Sequence, residues 1–412
     1  MATPAQRTNT WTLDEWYDQS VAGTTGGYQW GAELWSWGYN RDGSLGLNGN
    51  NRSFDRSSPT QVGTDATWRW IGGLTGYNIT AGKKDGTMWA WGKNEGGMSG
   101  YNLGPGPGAR SSPIQVGTDT NWKYSVAAGY GQISLKTDGT LWTCGYSFEG
   151  FLGQNTQGNR ISSPAQVGTD TDWKQINGGL QTMGGIKTDG TLWMWGTGSA
   201  LMWLTNAPVM RSSPVQMPGT TWKQLAIGKY SGGAIKTDGT LWMWGDNGQG
   251  TLGLNGSGGS PTVNYGSGAS SPIQVGTDTT WDNLVMNYGG DFRRTMATKT
   301  DGSLWVWGSG GVGMMGLNDG SPAVRRSSPT QIPGTWATAA DGVFDNSEAN
   351  TISVEDVTAC KKADGNFYIW GRGVTYGGLG LNDKVSRSSP VLLPGTWVEI
   401  KGGYGSGHAI KE

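Results

Sequence analysis

Histidine and cysteine are scarce in this sequence of 412 residues. It has one histidine, His408, and two cysteines, Cys144 and Cys360, which lie far apart in the chain. His408 falls in a predicted strand with no cysteine or second histidine near it, so we find neither a Ser-His-Asp nor a Cys-His arrangement. The ligands of a zinc site are also missing. We therefore predict no catalytic, cofactor-binding or metal-ligating residue, no cofactor and no enzyme activity.

Surplus charge and long apolar runs are lacking as well. Thirty Lys and Arg residues balance 31 Asp and Glu residues, which gives a formal net charge of −1. A neutral chain has no basic footprint for nucleic acid and no polybasic face for an anionic membrane. The first thirty residues contain no signal peptide, and no stretch approaches the roughly 20 apolar residues of a membrane span. We expect a soluble protein made in the cytoplasm, with no nucleic-acid partner and no membrane insertion.

Glycine and tryptophan are abundant, and the tryptophans repeat. The chain has 74 Gly and 24 Trp, although only 35% of its residues are hydrophobic. A segment of the form LWxWG recurs at intervals of 54, 53, 51, 49, 63 and 63 residues. Its seven copies begin at Leu34, Met88, Leu141, Leu192, Leu241, Leu304 and Phe367. Ser-Ser-Pro and a single later Trp also occur seven times in the same order, which indicates a repeat architecture.

Each repeat is predicted to form a small antiparallel sheet. Asp-Gly precedes six of the aromatic segments, and this pair predicts a hairpin with a type I′ turn. In LWxWG the two tryptophans point to one face of the strand and the other two apolar residues to the opposite face. Sheets with two apolar faces must stack, and seven of them close into an all-β, seven-bladed propeller. The last strands, near His408, complete the blade that begins at 34–38, so pairing of the N- and C-terminal strands closes the ring.

The repeat resembles that of the regulator of chromosome condensation family. The resemblance rests on LWxWGxNxxGxLGLN, SSPxQV and IKTDGT and covers residues 31–412. It implies a seven-bladed β-propeller, and in that family the propeller binds chromatin and promotes nucleotide exchange on a small GTPase. The fourth repeat departs from the pattern after Gly196, and segments at 256–272 and 339–366 expand the fifth and sixth repeats. The resemblance does not decide function, because one fold serves many roles.

Residues 1–28 lie outside the repeats and are predicted to form a separate arm, with the propeller occupying 29–412. A capping box at 12–15 predicts the start of a short helix, which is marginal by itself in water. Its apolar side chains need a partner surface, either on the propeller of the same chain or on another subunit. The predicted anchoring residues are Trp11, Leu13, Trp16 and Tyr17.

The arm, TNTWTLDEWYDQSVAG, is similar to segments of structural proteins of marine bacteriophages. This resemblance implies a non-enzymatic virion component in a capsid, neck or tail, anchored to other virion proteins by residues 1–28. The propeller would then contact a protein or a glycan of the host surface through aromatic residues in its loops. The predicted contacts are Phe148, Phe151, Trp203 and Tyr265. The alternatives are a cellular protein-interaction or lectin-like propeller and, third, a GTPase exchange factor.

Overall fold

The structure is a ring of antiparallel sheets. The computed structural model describes residues 32–49, 54–72, 78–102, 108–198, 200, 210–255, 268–287, 292–311, 313–320, 324–338, 351–354, 357–373, 376–402 and 405–411. The described residues form seven sheets of four strands each. We number these blades one to seven.

Every blade uses the same four segments of the repeat, in the same order. The first strands are β3 (Trp68–Ile71), β7 (Trp122–Ala128), β11 (Trp173–Gly178), β15 (Trp222–Ile227), β19 (Trp281–Met286), β23 (Thr351–Val354) and β27 (Trp397–Gly402). The second strands are β4 (Asn78–Lys83), β8 (Gly131–Lys136), β12 (Thr182–Lys187), β16 (Ser231–Lys236), β20 (Arg294–Lys299), β24 (Val357–Lys361) and β28 (Ser406–Lys411).

The third strands carry the LWxWG segments and the fourth strands carry Ser-Ser-Pro. The third strands are β1 (Glu33–Gly38), β5 (Met88–Gly92), β9 (Leu141–Tyr146), β13 (Leu192–Gly196), β17 (Leu241–Gly245), β21 (Leu304–Gly310) and β25 (Phe367–Gly371). The fourth strands are β2 (Arg56–Gln61), β6 (Arg110–Gln115), β10 (Arg160–Gln166), β14 (Arg211–Met217), β18 (Ala269–Gln274), β22 (Val324–Ile332) and β26 (Arg387–Leu392). Short 3₁₀ turns follow three third strands, at Arg41–Gly43, Glu95–Gly97 and Phe148–Gly150.

The seven blades form a closed ring. Each first strand contacts the first strands of both neighbouring blades, from β3 and β7 round to β27 and back to β3. Blade one has the strand order β2-β1-β28-β27, so it combines both ends of the ring. β1 pairs with β28 in a register that runs from Glu33 opposite Lys411 to Gly38 opposite Ser406. This pairing confirms the predicted seven-bladed propeller and its closure, which leaves neither terminal strand as an open edge.

Both faces of each sheet are buried, as predicted. In β13, Leu192 and Met194 are fully buried on one face and Trp195 is fully buried on the other. Trp193 shares a face with Trp195 but is only partly buried. The core therefore consists of apolar layers between successive blades, and Leu225 of blade five belongs to the same cluster as Met194.

The predicted type I′ turn at Asp-Gly is wrong. Gly139 has a φ of +77°, but Asp138 is not among the residues with positive φ, and type I′ requires both. Instead, the N–H of Gly139 donates to the carbonyl of Lys136 (3.1 Å), and the N–H of Lys136 donates to the carbonyl of Thr140 (3.1 Å). This is a three-residue loop in which a type I turn is followed by a left-handed glycine. The Asp138 carboxylate accepts the N–H of Thr140 at 3.0 Å, which favours this turn.

The insertion at 339–366 does not simply lengthen a loop. It includes β23 and β24, the first two strands of blade seven. Trp336 starts no strand there, unlike the equivalent tryptophans, and makes an isolated bridge to Lys362. It is still 1% exposed, so its place in the core is kept.

In the part of the chain that the structure describes, no helix has the length and hydrophobicity of a membrane span.

Two candidate interaction faces

The ring has two faces that differ in side-chain chemistry. One face, the clamp face, carries the Asp-Gly turns, where second strands end and third strands begin. The opposite face, the loop face, carries the connections from first to second and from third to fourth strands. Residues 199, 201–209 and 256–267, which belong to two of the connections between third and fourth strands, lie outside the described residues.

On the clamp face, a lysine of each blade lies against aromatic rings. In blade three the Nζ of Lys136 is 3.9 Å from the ring centre of Trp142 and 4.7 Å from that of Trp122. The two rings meet edge to face at 6.0 Å. Register explains the arrangement, because Trp122 pairs directly with Lys136 and the third strand places Trp142 beside them. Cation–π attraction holds the ammonium group between the rings. We call this group a lysine clamp.

Every blade has such a lysine, but in blade one Lys411 lies against the ring of Trp35 alone, 5.1 Å from its centre, and Trp35 meets Trp397 edge to face at 6.0 Å. From blade one to blade seven, the lysine and aromatic residues are Lys411 with Trp35 and Trp397, Lys83 with Trp68 and Trp89, Lys136 with Trp122 and Trp142, Lys187 with Trp173 and Trp193, Lys236 with Trp222 and Trp242, Lys299 with Trp281 and Trp305, and Lys362 with Trp336 and Tyr368. The first tryptophan of LWxWG is therefore a clamp residue and is only partly buried, whereas the second tryptophan, on the same face, is fully buried.

A hydrogen-bonded chain fixes each outer ring. The indole N–H of Trp142 donates to the hydroxyl of Thr140 (2.8 Å), and that hydroxyl donates to the carboxylate of Asp138 (2.7 Å). The hydrogen bond from the Thr140 hydroxyl, with the one from its N–H, holds the pKa of Asp138 below its ordinary value. Blade one lacks the Asp-Gly turn, and there Glu33 accepts directly from the indole N–H of Trp35 (3.0 Å).

Four of the clamps are closed by a carboxylate of the same chain. Their lysines donate to an aspartate in the linker that precedes the blade, with Nζ–Oδ2 distances of 2.5 to 2.8 Å. The pairs are Lys83–Asp65, Lys136–Asp119, Lys187–Asp170 and Lys299–Asp278. The aspartate always lies three residues before the first-strand tryptophan, in linkers that begin Val-Gly-Thr-Asp. We call these the closed clamps.

The other three clamps have no such carboxylate. Among the described residues, Lys236, Lys362 and Lys411 contact aromatic rings but form no ion pair. The segments just before their tryptophans Trp222, Trp336 and Trp397 contain Pro-Gly-Thr where the closed clamps have Val-Gly-Thr-Asp. In these blades the first-strand indole N–H donates to a linker carbonyl, for example from Trp397 to Pro394 at 3.0 Å and from Trp222 to Pro218 at 3.3 Å. We call these the open clamps.

The clamp of blade six borders a cleft. This cleft has a volume of about 500 Å³ and lies between blades five and six. Gly253 and Asn255 of blade five line one side, and Trp281, Lys299 and Trp305 line the other. The lysine and both tryptophans of this one clamp therefore line a cleft between two blades.

The loop face carries an aromatic cluster at blade three that includes the predicted contact Phe148. Its ring centre lies 5.5 Å from that of Tyr130 and 6.1 Å from that of Tyr146. The guanidinium group of exposed Arg160 lies 5.4 Å from the Tyr146 ring centre. Phe148 and both tyrosines are partly exposed. A second arginine–tyrosine stack lies on this face, where Arg293 is 4.4 Å from the Tyr230 ring centre and pairs with Asp246.

The prediction that Phe151 is a surface contact is wrong. Phe151 is 0% exposed, and its carbonyl accepts the indole N–H of Trp195 from the next blade (3.1 Å). It occupies the position of Ser44 and Thr251 in other blades, whose carbonyls accept the equivalent bond. The remaining predicted residues lie outside the described residues: Trp11, Leu13, Trp16, Tyr17, Trp203 and Tyr265.

His408 is a packed strand residue, as the sequence indicated. It is 0% exposed, and its ring lies edge-on to Trp91 at 6.4 Å. Burial lowers its pKa to about 3, so the imidazole is neutral at ordinary pH. Neither ring nitrogen has a hydrogen-bond partner among the described residues. The ring is thus a core side chain, remote from both faces.

The sequence did contain a signal for the clamps. A lysine stands two residues before Asp-Gly in Lys83, Lys136, Lys187, Lys236, Lys299 and Lys362. A lysine that recurs at one strand position in a tryptophan-rich repeat indicates a specific contact between the ammonium group and the aromatic rings. The sequence does not show which clamps are closed. A clamp is closed where a linker aspartate reaches its lysine, and only the structure shows that the linker brings the two together.

Comparison with known proteins places this fold. No protein-family model matches the sequence. A curated relative, the RCC1 domain-containing protein RUG3, mitochondrial, of Arabidopsis thaliana, is 26% identical over 194 residues, which are 45% of this chain and 43% of that protein. The chain therefore matches less than half the length of this relative.

Solved structures match over nearly the whole ring. Yeast RCC1 (Prp20), in a crystal structure with Kap60, has a TM-score of 0.74 and 17% identity, with 92% of this chain and 88% of that chain covered. Another structure of Prp20p of Saccharomyces cerevisiae has a TM-score of 0.74 and 18% identity, with 93% of this chain and 92% of that chain covered. Human WBSCR16 has a TM-score of 0.74 and 17% identity, with 92% of this chain and 99% of that chain covered. The chain is an RCC1-like seven-bladed β-propeller.

Proposed function

We propose that this protein is a non-enzymatic interaction module that binds a protein partner through the loop face of its propeller. The observation that carries the proposal is the partly exposed cluster of Tyr130, Tyr146 and Phe148 with Arg160. Aromatic and arginine side chains are enriched in protein interfaces and among their energetic hot spots. The rigid ring holds the cluster in place, so little conformational entropy is lost on binding.

The structural relatives support an interaction role. Yeast Prp20 is described in one solved structure as bound to Kap60 and in another with its binding properties to Gsp1p and histones. The shared fold makes protein binding the simplest function for this chain, although fold alone does not name the partner. An exchange-factor role is the narrower version of this proposal, and its test is nucleotide release from a candidate GTPase.

The test of the loop face is a matched pair of substitutions. Phe148→Ala removes the centre of the cluster, and Leu392→Ala removes an apolar side chain of similar size that is 45% exposed on β26. A partner identified by cross-linking to the full chain should bind Phe148→Ala at least tenfold more weakly, and Leu392→Ala unchanged. Equal affinity of both variants would show that the cluster is not the contact.

A virion role remains the finer proposal for residues 1–28. It is supported by the aromatic composition of that segment and its resemblance to phage structural proteins, with Trp11, Leu13, Trp16 and Tyr17 as anchors. Mass spectrometry of purified particles should then detect the protein, and deletion of residues 1–28 should abolish its incorporation while the ring stays folded. A host glycan as the loop-face ligand would give binding on a glycan array that Phe148→Ala removes.

A further inference from the structure

We propose that the three open clamps, Lys236, Lys362 and Lys411, bind side-chain carboxylates of an acidic segment of a partner protein. This site lies on the clamp face, so it is distinct from the loop-face contact proposed above and can be tested separately. It gives the protein a second interaction surface with a defined ligand chemistry.

The closed clamps of the same molecule show the ligand. In each, an ammonium group between two rings is completed by a linker aspartate, as in Lys136–Asp119 at 2.8 Å and Lys187–Asp170 at 2.7 Å, and Lys187 also contacts Asp172 at 3.1 Å. The open clamps repeat the lysine and its aromatic rings. Lys236 Nζ lies 5.0 and 4.1 Å from the ring centres of Trp222 and Trp242, compared with 4.7 and 3.9 Å in blade three. Among the described residues, a lysine therefore lies against aromatic rings in all seven blades, against a single ring in the case of Lys411, and a linker carboxylate completes four of these groups.

The open lysines are more accessible than most of the closed ones. Lys136, Lys187 and Lys299 are 6%, 8% and 9% exposed and are covered by their aspartate linkers. Lys236, Lys362 and Lys411 are partly exposed. An ammonium group that has exchanged part of its hydration for aromatic faces gains a charge-assisted hydrogen bond when a carboxylate arrives. An incoming aspartate or glutamate therefore finds an oriented and partly desolvated cation.

The positions of the open clamps suit an extended segment. Lys362 and Lys411 belong to blades seven and one, which are neighbours because β23 contacts β27. Lys236 belongs to blade five, two blades away from blade seven. A chain with several acidic residues can engage the adjacent pair together, and the second contact is then intramolecular and adds affinity without a new type of interaction.

The surrounding charge favours an acidic protein segment over a nucleic acid. The clamp face also carries the turn carboxylates Asp138, Asp189, Asp238 and Asp301, whose pKa values are all lowered by hydrogen bonds from the following Thr or Ser. These fixed negative charges alternate with the lysines and repel a continuous polyphosphate chain. Separate carboxylates on a flexible segment can reach the lysines one at a time.

The experiment measures the anisotropy of fluorescein-labelled octaglutamate titrated with the full chain. The triple variant Lys236→Met, Lys362→Met, Lys411→Met should bind at least tenfold more weakly. The control triple variant Lys83→Met, Lys136→Met, Lys299→Met changes the net charge equally but touches only closed clamps, and it should bind like the wild type. Thermal melts establish that both variants are folded.

A gain-of-function variant keeps the proposal testable if the triple variants are unstable. Asp119→Asn opens the closed clamp at Lys136 and should strengthen peptide binding in otherwise unchanged protein. Equal weakening by both triple variants, or no binding of octaglutamate by folded wild type, would overturn the proposal. So would tighter binding of an oligothymidylate than of octaglutamate. A last variant tests whether acidic residues of the chain itself occupy the open clamps; it is the full-length chain with Asp14→Asn, Glu15→Gln and Asp18→Asn. If this variant binds octaglutamate more strongly than the wild type, the open clamps are occupied by these N-terminal residues and not by a partner, and the proposal is overturned.

Discussion

The indole N–H of Trp37 in blade one donates a hydrogen bond to the carbonyl of Gly378 in blade seven, at 2.9 Å. The second tryptophan of LWxWG makes the same contact to the preceding blade in five further places. These are Trp91 to Ser44, Trp195 to Phe151, Trp244 to Ala200, Trp307 to Thr251 and Trp370 to Met314. Blade three has Cys144 at this position, with its Sγ 3.9 Å from the carbonyl of Met98. The inner tryptophan therefore links successive blades as well as filling the core.

Substitution of an inner tryptophan should cost more stability than substitution of its outer neighbour. Trp195→Phe leaves the buried carbonyl of Phe151 without its donor and should lower the free energy of unfolding by about 2–3 kcal/mol. Trp193→Phe affects a partly exposed ring and should cost about 1 kcal/mol or less. Urea-denaturation midpoints of the two variants measure the difference. Equal midpoints would contradict the linking role of the inner ring.

The tryptophans also show how far the sequence could be interpreted. The sevenfold repeat, the strand parity of Trp193 and Trp195 and the closure of the ring all follow from local pattern, and the structure confirms them. The different exposure of the two rings does not follow, because it depends on how closely the next blade approaches each end of the strand. Packing between repeats, and not the repeat itself, separates the core ring from the clamp ring.

Interruption of β28 should open the ring. Ala409 lies opposite Trp35 of β1 and opposite Ile400 of β27, so this strand is paired on both sides. Ala409→Pro removes its N–H and cannot be accommodated in an interior strand, which should cost about 3 kcal/mol or more. Outermost strands already contain proline in every Ser-Ser-Pro segment. Gel filtration and limited proteolysis should show an expanded chain cleaved near its ends. A compact, resistant variant would show that the β1–β28 pairing does not hold the ring closed.

The turn aspartates should stabilise their hairpins through their side chains. Asp138→Ala removes the acceptor for both the N–H and the hydroxyl of Thr140, at 3.0 and 2.7 Å, and should cost about 1 kcal/mol. Asp138→Asn keeps an acceptor oxygen and should cost less. Because the pKa of Asp138 is lowered, its ionised form stabilises the fold above the ordinary pKa of an aspartate, and this contribution is lost in more acidic solution. Chemical denaturation near neutral pH compares the two variants, and an asparagine variant as unstable as the alanine one would contradict the acceptor role.

Two of the wrong predictions have one physical origin. Asp-Gly indicated a type I′ turn and Phe151 a surface residue, because both were judged from residue type alone. The turn is decided by the hydrogen bonds that Asp138 accepts from Thr140, and Phe151 lies in a core cluster that includes Trp195 of the next blade. Contacts between side chain and backbone, and between repeats, are not visible in the composition of one short segment.

Neither thiol should react in the folded protein. Cys144 and Cys360 are 0% and 1% exposed, and burial raises the pKa of Cys144 to about 12. The thiolate, which is the reactive form, is therefore scarce at Cys144, and both sulfur atoms are inaccessible to reagents. Ellman's reagent should titrate two thiols only after denaturant is added. Rapid reaction of one thiol in native buffer would indicate local opening of blade three or blade seven.

His408 should make the protein sensitive to mild acid. Its pKa is lowered from 6.5 to about 3 by burial, so the folded state keeps the ring neutral while the unfolded chain accepts a proton. The stability is therefore complete above the unfolded pKa and is lost as pH falls towards the folded pKa, at about 1.4 kcal/mol per pH unit. Between pH 8 and pH 5 this amounts to about 2 kcal/mol, which denaturation at several pH values can measure.

His408→Leu removes the proton site and two unpaired ring nitrogens, so it should keep the stability at pH 8 and abolish the slope of the unfolding free energy against pH. Asp and Glu side chains titrate mainly below this window, and an unchanged slope in His408→Leu would exclude the buried imidazole as the cause.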